Sequence, residues 1–93
     1  MKDGDSVLRL CDVALKQKSV VVEKMEGIFF EGYLRGYEYG APRSSLNVPP
    51  DVTLHQQVEA IRNWLNEHPE QLKVDGRAVI SRALKEAYPP KAP

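Results

Sequence analysis

Hydrophobic positions recur along most of this chain at three- and four-residue spacing, the repeat that lines one face of an α-helix. Val7, Leu8, Leu10, Cys11, Ala14 and Leu15 predict a first helix from about Ser6 to Lys18. Asp5 is the expected N-cap, and Lys16 and Lys18 fall in the last turn, where cations complement the helix dipole. The next segment, SVVVEKMEGIFFEGYLRGYEYG, opens on three β-branched residues that suit a strand. Beyond them Met25, Phe29, Gly32, Tyr33, Gly36 and Tyr37 form a helical stripe. An interior glycine costs about 1 kcal/mol relative to alanine, so this helix needs tertiary support. Gly32 and Gly36, one turn apart, read as a flat groove on which a neighbouring helix lies, with Gly40 as terminator.

Ala41 to Val52 is rich in Pro, Ser and Asn and carries no periodicity, so it is a long connection, with Leu46 and Val48 available to pin it. Thr53-Leu54-His55-Gln56 is a capping box, in which Thr53 accepts from an exposed N–H and Gln56 reaches back to the cap. Leu54, Val58, Ile61 and Leu65 form the stripe of the helix it opens, with Trp64 at its edge. His68-Pro69 ends that helix, and Pro69 suits the first position of one further turn. Asp75-Gly76 is turn chemistry, with Asp75 able to cap a last helix. Its stripe is Val79, Ile80, Ala83, Leu84, Ala87 and Tyr88, and Pro89-Pro90 ends it. The predicted fold is all-α: a single domain over residues 1–93, built as a compact bundle of about four helices. One long connection joins the second helix to the third, and residues 1–4 and 90–93 are expected to fray.

Composition narrows the function. Thirteen basic residues balance thirteen acidic ones in 93. Nucleic-acid binders normally show a basic excess, so no nucleic-acid partner is expected. A near-neutral surface eases association between proteins. No run of about 18 apolar residues exists, so no membrane partner is expected either. MKDGDSVLRL lacks the apolar run of a secretory signal.

Candidate chemistry is sparse. Cys11, the only cysteine, sits among apolar neighbours and reads as a buried inert thiol; an intermolecular bridge and a nucleophile paired with a histidine are the alternatives. His55 and His68 stand at opposite ends of one helix, about 20 Å apart, and cannot share a metal. Glu23, Glu26, Glu31 and Glu38 are interspersed with Lys24 and Arg35 and read as a solvated face. The glycines match no phosphate-binding motif. Neither catalytic residues nor a metal or other cofactor is expected.

Five motifs then fall in one order: VLRLC at Val7 to Cys11, FEGYLRG at Phe30 to Gly36, VPPDVTLHQ at Val48 to Gln56, NWLNEHPE at Asn63 to Glu70, and ALKEAYP at Ala83 to Pro89. That order resembles the Rap/Tai family of immunity proteins of bacterial type VI secretion systems, from about Asp3 to Pro90. The resemblance implies an all-α, often dimeric protein without enzymatic activity. Such a protein occludes the active-site cleft of a peptidoglycan amidase effector in the periplasm. Without a signal, the expectation is a mature periplasmic form, with a cytoplasmic adaptor or structural dimer of the same fold as the alternative. It also makes Gly32, Tyr33, Gly36, Thr53, Gln56 and Pro69 scaffold positions. Family members carry further cysteines where this chain has Phe30, Val48 and Pro90, so the family's disulfides cannot form and Phe30 is expected to fill volume instead. The expected contact surface is the loop from His68 to Arg77, with Glu70, Lys73, Asp75 and Arg77. The second candidate is the connection from Arg43 to Asp51, with Arg43, Ser44, Ser45 and Asn47.

Overall fold

The computed structural model describes residues 2–16, 21–41 and 46–90. Within them the elements are α1 (Gly4–Leu15), α2 (Val21–Gly40), α3 (Leu54–Glu67), a 3-10 turn (Pro69–Lys73) and α4 (Gly76–Ala87). No strand occurs among the described residues; one isolated antiparallel bridge joins Asp3 to Asp75. The all-α expectation therefore holds. Among the described residues, no helix is long and apolar enough to cross a membrane.

α1 is the hub of the bundle and packs on α2, α3, α4 and the 3-10 turn. Its inward residues Val7 and Cys11 meet Phe30 and Leu34 of α2, Val58, Ile61 and Leu65 of α3, and Val79, Ile80, Ala83 and Leu84 of α4. Leu46 closes this core from the connection, with Val48 packed against it. Phe30 is 2% exposed, so an aromatic ring fills the position at which the resemblance places a cysteine.

Several expectations change. α1 begins at Gly4 with Asp3, not Asp5, as its cap: the Ser6 N–H donates to Asp3 Oδ1 at 3.0 Å. The backbone decides this. The Gly4 N–H donates to the Val74 carbonyl at 2.9 Å, and the Gly76 N–H donates to the Lys2 carbonyl at 3.3 Å. Lys2 to Gly4, expected to fray, is thus laid along the segment before α4. α1 also stops at Leu15, with Lys16 as its C-cap; Lys18 lies outside the described residues, as do Met1 and residues 91–93 of the ends expected to fray. Val21 and Val22, read as a possible strand, open α2, while Val20 lies outside the described residues. In α4, Ala87 is exposed instead of continuing the buried stripe.

The main correction concerns the glycines of α2. Gly32 and Gly36 are exposed, and a Cβ placed on either would meet nothing within 4 Å. None of the described residues lies on them. α2 turns Phe30 and Leu34, which lie outside the predicted stripe, fully inward, while Tyr33 and Tyr37 of that stripe pack at the core edge. The Tyr37 hydroxyl donates to Ser81 Oγ at 2.9 Å. The small-residue contact sits earlier, where buried Gly27 faces Ala14 of α1 and an added Cβ would lie 3.6 Å from Ala14 Cα. The bidentate pair of Arg9 with Glu26, at 2.6 and 2.9 Å, borders that contact. It holds Arg9 above, and Glu26 below, their ordinary pKa values.

The other local rules are obeyed. The capping box of α3 is complete: the Gln56 N–H donates to Thr53 Oγ1 at 3.1 Å, and the Thr53 N–H donates to Gln56 Oε1 at 2.8 Å. Pro69 opens the 3-10 turn, and Asp75 caps α4 by accepting from the Ala78 N–H at 3.3 Å.

Candidate functional site

The segment from His68 to Arg77 is built as a rigid ledge. Proline fixes its first φ, and the 3-10 turn closes with the Val74 N–H on the Gln71 carbonyl at 3.1 Å. The N-terminal strand-like residues clamp one side, and Arg82 of α4 donates to Gln71 Oε1 at 2.8 Å on another. At the α3 end, the ring of His68 stacks on Trp64 with centroids 4.5 Å apart, and His68 Nδ1 lies 2.8 Å from the Trp64 carbonyl. Trp64 Nε1 in turn donates to Glu86 Oε2 at 2.6 Å. This half-buried Trp therefore ties α3 to α4 at the edge of the core.

The four charged residues expected on this loop divide into two pairs. Lys73 makes an ion pair with Asp5 at 2.7 Å, which raises the Lys73 pKa, and Asp75 is occupied as the α4 cap. Both hold the ledge. Glu70 and Arg77 are exposed and form no hydrogen bond or ion pair among the described residues. Arg77 stands in the first turn of α4, whose first turn carries no acidic residue. A cation there opposes the helix dipole, by about 0.3–1 kcal/mol, so its place is not explained by the stability of α4.

Of the second expected loop, Arg43, Ser44 and Ser45 lie outside the described residues. Asn47 is half-buried, with its N–H on the Tyr88 carbonyl at 3.4 Å. It therefore sits at the C-terminal end of α4, whereas Arg77 is at the N-terminal end. Asn47 and Arg77 are separated by the length of that helix, about 18 Å for 12 residues, and do not share one surface.

The reactive residues are kept apart. Burial, with a smaller push from Asp12, raises the Cys11 thiol to about 12, so at neutral pH it stays protonated in the core. His55 lies 3.1 Å from Glu59, and His68 is engaged with Trp64. No group of three or more His, Cys, Asp or Glu is arranged to hold a metal among the described residues.

Two features escaped the sequence reading. The outer face of α2 leaves Met25, Ile28, Phe29 and Tyr39 between 53% and 84% exposed. A groove of about 320 Å³ between α1 and α2, lined by Leu10, Glu26, Phe29, Phe30 and Tyr33, runs beside it. The second feature is a polar cleft of about 650 Å³ between α2 and the start of α3, lined among others by Glu31, Arg35, Glu38 and His55. Gln57 forms its floor at 1% exposure, donating weakly to Glu38 at 3.4 Å while its Oε1 has no partner. The signal was present for Gln57: it stands four residues before Ile61, on the stripe that faces the core. For α2 it was ambiguous, because Met25/Phe29 and Phe30/Leu34 are equally good four-residue repeats.

No curated protein sequence and no solved structure matches the chain. The family model of the Rap1a immunity proteins does match, over residues 3–90. That span runs from the Asp3 cap of α1 to Pro90 beyond α4, so it takes in every element of the bundle. On that match, the chain belongs to the family of Rap1a immunity proteins.

Proposed function

We propose that this immunity protein neutralises a type VI peptidoglycan amidase by lodging the His68–Arg77 ledge in the enzyme's active-site cleft. It acts in the periplasm as a homodimer and performs no chemistry of its own. Family membership supplies the general role of binding a cognate effector. The observation that carries the finer reading is the ledge itself. It is pinned at both ends, yet presents Glu70 and an Arg77 set against the helix dipole. A pre-ordered loop loses little entropy on docking, so more of its contact energy appears as affinity.

The test is titration calorimetry of the protein with the amidase encoded beside it. Glu70→Lys and Arg77→Glu should each weaken binding tenfold or more, as expected for charges paired across an interface. Thermal stability should be unchanged in Glu70→Lys, because exposed substitutions usually stay within about 0.5 kcal/mol, and unchanged or slightly raised in Arg77→Glu, which sets an anion at the positive end of the α4 dipole. Absence of a complex at micromolar concentration would refute the amidase reading. Full affinity in both variants would move the contact off this ledge.

A further inference from the structure

The polar cleft between α2 and the start of α3 holds chemistry that the ledge does not use. Glu31, Arg35 and Glu38 stand on its α2 wall at four- and three-residue spacing, the spacing at which charges pair on a helix. None of the three forms an ion pair among the described residues. The α3 wall is the capping box, whose Thr53 and Gln56 N–H groups are already spent inside the chain. Gln57 forms the floor, in a row with buried Ile61 and Leu65. An apolar side chain there would leave no polar atom unsatisfied, so a buried amide whose Oε1 has no partner does not serve the core. Its bond to Glu38, at 3.4 Å, is too long to offset that cost.

We propose that this cleft receives one arginine side chain of the effector. The occupant rests on effector binding in the proposed function but not on the ledge, which lies at the other end of α3, about 20 Å away. The groups left without a firm partner at the floor are acceptors, the Glu38 carboxylate and Gln57 Oε1, so the ligand has to donate. A guanidinium suits them better than an ammonium. Its planar fork gives two parallel bonds to a carboxylate and keeps further N–H groups for an amide oxygen. Gln57 Oε1 is covered in the free protein, but the last torsion of a glutamine is broad, so the weakly held amide turns to present it. Tyr39, next to Glu38 and 84% exposed, offers a ring face to the cation at the rim. Val52 and Leu54 also line the cleft and take the methylene stem. Arg35 is no obstacle. Glu31 stands one turn before it, the favoured order for a helical ion pair, and engages it when the ligand occupies Glu38. At about 650 Å³ the cleft admits a short stretch of chain together with the side chain.

NMR titration of the full chain with N-acetyl-arginine methylamide reads the site without the effector. The side-chain amide of Gln57 and the backbone amide of Tyr39 should shift, saturating in the millimolar range expected of a single side chain. The citrulline analogue, similar in shape but uncharged, should shift neither. Calorimetry with the amidase then tests the occupant. Glu38→Gln and Gln57→Leu should each weaken the complex tenfold or more with no loss of Tm. Asp12→Asn, which removes the same charge from the exposed surface of α1, should leave it unchanged. Equal shifts from the two analogues, or shifts confined to residues outside the cleft, overturn the site. Full amidase affinity in both cleft variants overturns the effector as its occupant, and so does an equal loss in Asp12→Asn, which would reduce the effect to overall charge. Absence of any complex in the wild type, with the arginine shifts intact, refutes the amidase reading and upholds the cation site.

Discussion

Gly4, the first residue of α1, lies against the 3-10 turn so closely that a Cβ placed on it would stand 2.3 Å from the Gln71 carbonyl oxygen and 2.7 Å from Leu72 Cα. Both neighbours are backbone, so no side-chain rotation relieves the overlap. Gly4→Ala therefore forces α1 and the turn apart. Overpacking of this kind costs about 1–3 kcal/mol. The separation also strains the 2.9 Å bond from the Gly4 N–H to the Val74 carbonyl, adding about 1 kcal/mol if it is lost. Against this stands a helix-propensity gain of at most about 1 kcal/mol. The net loss is about 2 kcal/mol. A domain of this size shifts its Tm by roughly 4–8 °C per kcal/mol, so the melt should fall on the order of 10 °C. Gly36→Ala is the matched control with the opposite sign. The new methyl meets none of the described residues, so the helix should gain about 0.5–1 kcal/mol. Thermal melts followed by circular dichroism, at concentrations low enough to keep the chains separate, compare the two variants. A Gly4→Ala protein that melts at or above the wild type would refute the close approach. It would also remove one of the contacts that hold the ledge, that of the α1 start.

Thr53→Ala removes one half of the α3 capping box and should cost about 1 kcal/mol in urea unfolding, with the m-value unchanged. Gln57→Leu replaces a buried amide whose oxygen has no partner, so unfolding should show it neutral or more stable, by up to about 1 kcal/mol; a loss above 2 kcal/mol would mean that the amide is satisfied in solution. Cys11 has its pKa raised from 9.0 to about 12. The stability linked to it is therefore complete below pH 9 and is lost as pH rises toward 12, by up to about 1.4 kcal/mol per pH unit. Stability measured between pH 8 and pH 10.5 should fall less steeply in Cys11→Ala, and equal slopes would show that the thiol ionises as readily folded as unfolded. Tyr88, whose pKa is also raised by burial, contributes with the same sign at higher pH.

Much of this protein was determined by short-range chemistry that a sequence carries whole. The capping box at Thr53, the stop at His68-Pro69 and the Asp75 cap each involve residues within a few positions of one another. The stripes of α3 and α4 each offer one clear apolar face, and both face the core as expected, apart from Ala87 at the end of α4. The order of motifs from Asp3 to Pro90 was likewise enough to point to the family. What only the tertiary structure decided involves choices between equivalent local patterns. Asp3 and Asp5 are both competent caps, and pairing of Lys2 to Gly4 with the segment before α4 selects Asp3. Four charges lie along His68–Arg77, and contacts with Asp5 and the Ala78 N–H leave Glu70 and Arg77 as the pair presented to solvent. α2 is the fullest case, because it is apolar on two sides. Periodicity states that a stripe exists but not which one the rest of the chain covers. Phe30 and Leu34 won because α1 and α3 supply a core for them, and Gly27 lets α1 come near at Ala14. The glycines at 32 and 36 were left on the outside, where none of the described residues lies upon them.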